Sequence, residues 1–174
     1  MKKNPLASLT GIFLLSVISI AVSGQVASTN SEIPVDFVSL EKSAASIETN
    51  KVSEKAVRDF EKTFKKVSGE KWFEVHDGFI AMFNQEAVAY QVAYDKKGNW
   101  LRTIRSYSEA KLSEDIRHMV KSDYYDYDIN LVQEVQKPME PSIYIIQLIG
   151  KTELIKLSVR DGEMQVLQKY NKSE

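Results

Sequence analysis

The sequence predicts an α+β fold: two tandem helix-plus-four-strand (αββββ) repeats forming a curved antiparallel sheet with both helices on one face. Three observations point there. An amphipathic helical pattern occurs twice, near residues 53–67 and 113–125. Each is followed by four short strand-like runs separated by turn residues. Finally, DKKGNWLRTIRSY (residues 95–107) is echoed by VRDGEMQVLQKY (residues 159–170), with Gly98 and Gly162 standing 64 positions apart. A unit that recurs at a fixed period reads as an internal duplication.

Residues 1–24, MKKNPLASLTGIFLLSVISIAVSG, open with Lys2 and Lys3. They continue through a run whose only non-apolar residues are Ser, Thr and Gly, and end on small residues. That three-part layout is a cleavable secretory signal peptide. No Cys follows it, so the chain is not read as a lipoprotein, and the expected location is periplasmic or secreted with no stable membrane insertion after cleavage. Residues 25–52 read as a flexible N-terminal segment in which only Val35-Asp36-Phe37-Val38-Ser39-Leu40 is able to pack.

The first repeat is expected over residues 53–110. Ala56, Val57, Phe60, Phe64 and Val67 share one helical face, with charged residues opposite. Ser53 is placed to cap that helix, and Lys65 and Lys66 to close it before Ser68-Gly69. KWFEV, FIAMF, AVAYQVAY and WLRTIRSY then read as strands, with His76-Asp77-Gly78 as the first hairpin turn. The second repeat, residues 111–174, restarts at Ser113 with Ile116, Met119 and Val120 on one helical face. INLVQEV, SIYIIQL, ELIKLSV and MQVLQKY follow as strands. The two repeats together, residues 53–174, make one domain.

The helix carrying Phe60 and Phe64, then Trp72, DGFIAMF, AYDKKGNWLRT and LSEDIRHMVKSDYYDYDINLV, resembles the PepSY-like family of exported bacterial proteins, which is similar in turn to the β-lactamase inhibitor protein fold. The resemblance covers about residues 53–170. Lys65 and Tyr125 stand where the family tends to have Pro, both at helix exits. The resemblance implies a tandem-repeat envelope protein with no catalytic residues to carry over, of a kind that binds or inhibits other proteins.

The 174 residues are 43% hydrophobic and 27% charged, an ordinary globular balance. Zero Cys excludes disulfides, thiolate metal sites and Cys nucleophiles. Without residues 1–24 the chain has 21 basic and 24 acidic side chains, a formal charge of −3, so nucleic acid is a poor partner. His76 reads as a turn residue and His118 as one side of an i,i+4 pair with Glu114. Asp126, Asp128 and Asn130 imitate the start of a calcium loop, but Leu131 stands where that loop needs Gly, and Lys137 where it needs Glu. No nucleophile elbow or phosphate loop occurs. The expectation is therefore no enzyme, no metal and no cofactor.

What remains is aromatic placement. Trp72, Tyr90, Tyr94, Trp100 and Arg102 are the candidate partner-binding residues, on the premise that Trp100, Arg102 and Ile104 share a strand face. Such residue types anchor protein interfaces. The expected function is a non-enzymatic exported binding or inhibitor-like module that presents a sheet face to an envelope protein or peptide. The alternative is a small-molecule or lipid carrier with a cavity between sheet and helices.

Overall fold

The computed structural model describes residues 45–172. Nine strands form a single antiparallel sheet whose spatial order is the order of the chain. They are β1 (Ser46–Ile47), β2 (Lys71–Val75), β3 (Gly78–Gln85), β4 (Val88–Asp95), β5 (Trp100–Tyr107), β6 (Asp128–Gln136), β7 (Ile143–Ile149), β8 (Glu153–Arg160) and β9 (Glu163–Asn171). Two ten-residue helices, α1 (Glu54–Thr63) and α2 (Glu114–Asp123), precede β2 and β6.

This corrects the α+β expectation of two tandem αββββ repeats with both helices on one face. The molecule is mostly sheet, and the sheet does not divide. β5 pairs with β6 over five residue positions, from Thr103 opposite Gln136 to Tyr107 opposite Val132, directly across the expected repeat boundary. Backbone hydrogen bonding thus runs straight across the repeat boundary, because β5 would otherwise expose a row of unpaired backbone groups. The α2 cluster likewise draws Val88 and Tyr107 from one side of that boundary and Val132, Ile146, Leu148 and Leu157 from the other. A ninth strand, β1, comes from outside both expected repeats and pairs Ser46 with Phe73.

α1 forms because Ala56 and Phe60 recur on one face and are buried against Trp72, Ala81, Phe83, Val92 and Tyr94. It ends one turn sooner than the pattern predicts. Phe64 is the C-cap, Lys66 adopts the left-handed conformation at φ 63°, and Phe64 and Val67 join the core from beyond the helix. Ser53 and Ser113 do occupy the N-cap positions, yet neither hydroxyl makes a capping hydrogen bond.

The turns have local causes. Between β4 and β5 the Asp95 carboxylate accepts hydrogen bonds from the backbone N–H groups of Lys97 and Asn99, both at 2.8 Å, and from the Asn99 amide at 2.7 Å. The Asn99 side chain is the main reason the Asp95 carboxyl is held below its ordinary value. Gly98, at φ 79°, closes this turn against the start of α1, where an added Cβ would lie 2.5 Å from the Ser53 hydroxyl. In β5, one extra residue interrupts the pairing: Arg102 lies opposite Ala93 and Trp100 opposite Tyr94, so Leu101 bulges out, 43% exposed.

Candidate functional site

Between the α1 and α2 clusters a row of side chains crosses four strands in register. Tyr90 on β4 lies opposite Arg105 on β5, Arg105 opposite Glu134 on β6, and Glu134 opposite Tyr144 on β7. Residues directly opposite share a sheet face and touch. The row is anchored at its β4 end by Tyr90, whose ring stacks on Phe83 at 4.7 Å with an interplanar angle of 2°.

Glu134 organises the row. Only 6% exposed, its carboxylate accepts hydrogen bonds from Arg105 Nη1 at 2.9 Å, Tyr107 Oη at 2.8 Å and Gln136 Nε2 at 2.8 Å. Three donors satisfy a buried charge that would otherwise be costly. Arg105 keeps a third of its side chain in solvent and lies 5.9 Å from the Tyr90 ring centre and 5.5 Å from that of Tyr107, within the range of cation–π attraction. Burial works against its charge, but the Glu134 carboxylate and the surrounding tyrosine oxygens outweigh this, so the guanidinium is held more firmly protonated than an exposed arginine. Burial, then the hydrogen bond to Glu134, pushes the Tyr107 phenol well above its ordinary value; burial and the nearby Glu134 charge raise Tyr144 too. A carboxylate with three donors converging on it is a structural anchor. The arrangement offers a fixed, partly exposed guanidinium between the half-buried Tyr90 ring and the buried Tyr107 ring.

The five residues singled out from the sequence do not come together as a surface. Trp72 and Tyr94 meet, with ring centres 5.9 Å apart, but in the core beneath α1, where they are 2% and 1% exposed. The Tyr94 hydroxyl donates to Asp59 on α1 at 3.1 Å; burial first, then that carboxylate, raises its pKa. Trp100 is half-buried against the α1 cluster, its indole N–H donating to Thr103 Oγ1 at 3.0 Å. Arg102 lies opposite Ala93 on the other face. The premise that Trp100 and Arg102 share a face fails because the Leu101 bulge reverses the alternation. Tyr90 alone of the five belongs to the row. Sequence reasoning passes over Arg105, Tyr107, Glu134, Gln136 and Tyr144. The available signal was Glu134 itself, an acid at the same parity as buried Val132 in the strand run INLVQEV.

Other chemistry is dispersed. The side chain of His76 is 95% exposed and 3.7 Å from Asp77. His118 borders a cleft of about 340 Å³ lined by Glu109, Glu114, Arg117, Lys121 and Ser122, a charged surface and not an apolar cavity of the kind a carrier needs. Among the described residues no group of three or more His, Asp or Glu is placed to hold a metal ion. No helix among them is long and apolar enough to cross a membrane.

No family model matches the chain, and no curated protein does. Solved structures do. A DUF2874 family protein from Bacteroides ovatus aligns with a TM-score of 0.56 at 18% identity, over 69% of this chain and 87% of its own. A BLIP-like protein from Bacteroides fragilis aligns with a TM-score of 0.56 at 16% identity, over 69% and 86%. A third, from Bacteroides eggerthii and described as a candidate periplasmic protein, gives 0.56 at 16%, over 69% and 88%. The chain has the β-lactamase-inhibitor-protein-like, or BLIP-like, fold. At these identities the likeness concerns the fold, and the PepSY-like resemblance rests on the sequence motifs alone.

Proposed function

We propose that the protein is a non-enzymatic binding module of the cell envelope that presents the sheet surface between α1 and α2 to a protein or peptide partner. The observation that carries this reading is the row Tyr90–Arg105–Glu134–Tyr144. Tyrosine and arginine are the residue types that dominate interface energetics, and here a buried carboxylate fixes them before any partner arrives. The guanidinium favours a partner acceptor, a carboxylate or backbone carbonyl, with apolar atoms beside it to cover the tyrosine rings. Trp100 is a peripheral contact in this reading, whereas Trp72 and Tyr94 support the surface from below. The signal-peptide pattern of residues 1–24 supports export, and the naming of neighbours as BLIP-like and as a periplasmic candidate is consistent with an inhibitor-type envelope protein. On its sequence motifs we read the chain as a diverged relative of the PepSY-like proteins.

The test is a crosslinking capture from native envelope, with the protein processed by the cell as bait and Tyr144→Ala and Arg105→Lys as comparisons. Arg105→Lys keeps the charge beside Glu134 but loses the planar fork. One partner retained by the parent and lost by both variants, with melting temperatures little changed, is the expected result. A partner captured equally by all three baits refutes this surface.

A further inference from the structure

The face of the sheet turned away from Glu134 holds a buried apolar strip for which the described residues supply no cover. Register defines it: Phe73 opposite Ile80, Ile80 opposite Ala93, Met82 opposite Gln91, Gln91 opposite Ile104, Ile104 opposite Val135. Phe73 and Met82 are each 2% exposed, Ile104 2%, Ile80 6%, Val135 7% and Ala93 8%. The buried apolar residues of α1 and α2 belong to two other clusters, and the Phe73–Ile80–Met82–Ala93 cluster gains only Val75 as a partly buried apolar neighbour. Further along the same face, Leu154 is 39% and Tyr170 56% exposed. On this face burial is strongest from β2 to β6 and falls off by β8 and β9.

We propose that this strip is the docking site of the chain's own N-terminal segment, residues 35–40, Val-Asp-Phe-Val-Ser-Leu. The chain upstream of residue 45 enters the sheet at this place, since Ser46 pairs with Phe73. Leu40 is six residues from Ser46, a reach of up to about 20 Å. The strip from β2 to β5 is about 14 Å wide at ordinary strand spacing. Within residues 25–44 this segment is the one apolar run, contributing Val35, Phe37, Val38 and Leu40. Charge agrees as well. Lys71 and Arg102 lie in the same register rows, opposite Met82 and Ala93, while the segment brings Asp36 and is followed by Glu41. A tethered segment also outcompetes a free partner, because its effective concentration is of millimolar order.

The chain has no Cys, so engineered pairs report without background. Phe37→Cys combined with Ala93→Cys should form an intrachain disulfide in dilute protein, whereas Phe37→Cys with Tyr144→Cys, on the opposite face, should not. A second measurement follows methionine oxidation by hydrogen peroxide, resolved by mass spectrometry. Met139, fully exposed, is the internal standard for Met82. Met82 should react at least ten-fold more slowly than Met139 in the parent and approach it in Phe37→Asp/Leu40→Asp. Disulfide-linked dimers with concentration-dependent protection of Met82 would overturn the proposal in favour of a second copy. Absence of either disulfide, with Met82 reacting as fast as Met139 in the parent, would overturn it in favour of an open strip awaiting an external partner. The cysteine pair decides the matter even if the double aspartate variant fails to fold.

Discussion

Replacing Glu134 by Leu removes the acceptor on which three side chains converge. Tyr107, 4% exposed, loses a hydrogen bond to a charged group, worth about 2 kcal/mol. Arg105, a third exposed, is rehydrated in part, so loss of its ion pair costs about 1 kcal/mol. The half-buried Gln136 amide adds about another 1 kcal/mol. Against this loss of about 4 kcal/mol, a buried leucine returns about 2 kcal/mol of apolar transfer. The expected net destabilisation is about 2 kcal/mol, or roughly 6–10 °C in melting temperature for a domain of this size. Urea unfolding followed by the fluorescence of Trp72 and Trp100 measures it, with the denaturant slope checked for constancy. The decisive comparison is Tyr107→Phe in both backgrounds. With Glu134 present it costs about 2 kcal/mol; in the Glu134→Leu background it deletes an orphaned hydroxyl and stabilises by about 1 kcal/mol. Equal destabilisation in the two backgrounds would refute the view that Glu134 organises this part of the sheet.

Three further outcomes are expected. Stability should fall above pH 10: burial keeps the Tyr94 and Tyr107 phenols protonated in the fold while their unfolded counterparts ionise, so the unfolded chain binds fewer protons. Each contributes about 1.4 kcal/mol per pH unit, near 3 kcal/mol together by pH 11, and Tyr107→Phe should lower the slope of an alkaline denaturation series by about 1.4 kcal/mol per pH unit. Gly98→Ala should be far more damaging than Gly162→Ala in thermal melts: both sit at φ 79°, but an added Cβ meets Ser53 and Ala56 at the first and nothing within 4 Å at the second. Phe60→Ala should cost about 3–5 kcal/mol by denaturant titration, since its ring contacts Phe64, Trp72 and Phe83 at centroid distances of 5.2, 5.3 and 5.4 Å.

Individual elements were legible where a local signal existed. The strand KWFEV, and Gly98 and Gly162 in their turns, follow from β-forming side chains and backbone freedom, which neighbouring residues alone determine. β1 had no such signal, because Ser46 and Ile47 sit in a polar stretch and are strand only by pairing with β2. The dominance of the sheet over two short helices was hidden for a related reason: the apolar period of residues 53–67 runs on past Thr63, where the helix stops. The site suffered from a single residue. Leu101 as a bulge turns Trp100 toward α1, and no pattern in WLRTIRSY announces which residue will be left unpaired. Glu134 was legible in principle as an acid out of place, but its partners lie up to 29 positions away and meet it only through register.

The order of the sheet also governs how the chain finds its structure. Because each strand pairs with its immediate predecessor and successor, most ladders close over short loops, and ordering each new strand requires only that the previous one be in place. Two steps differ, each spanning a helix: β1 meets β2 across residues 48–70, and β5 meets β6 across residues 108–127. The first adds only a two-residue strand at the sheet's edge, whereas the second joins the two halves of the sheet. With so many contacts local in sequence, the protein should fold faster than β-sandwiches of similar size, whose strands must find distant partners. The long closure inside the sheet is the joining of β5 to β6, the same junction that brings Arg105 and Tyr107 to Glu134.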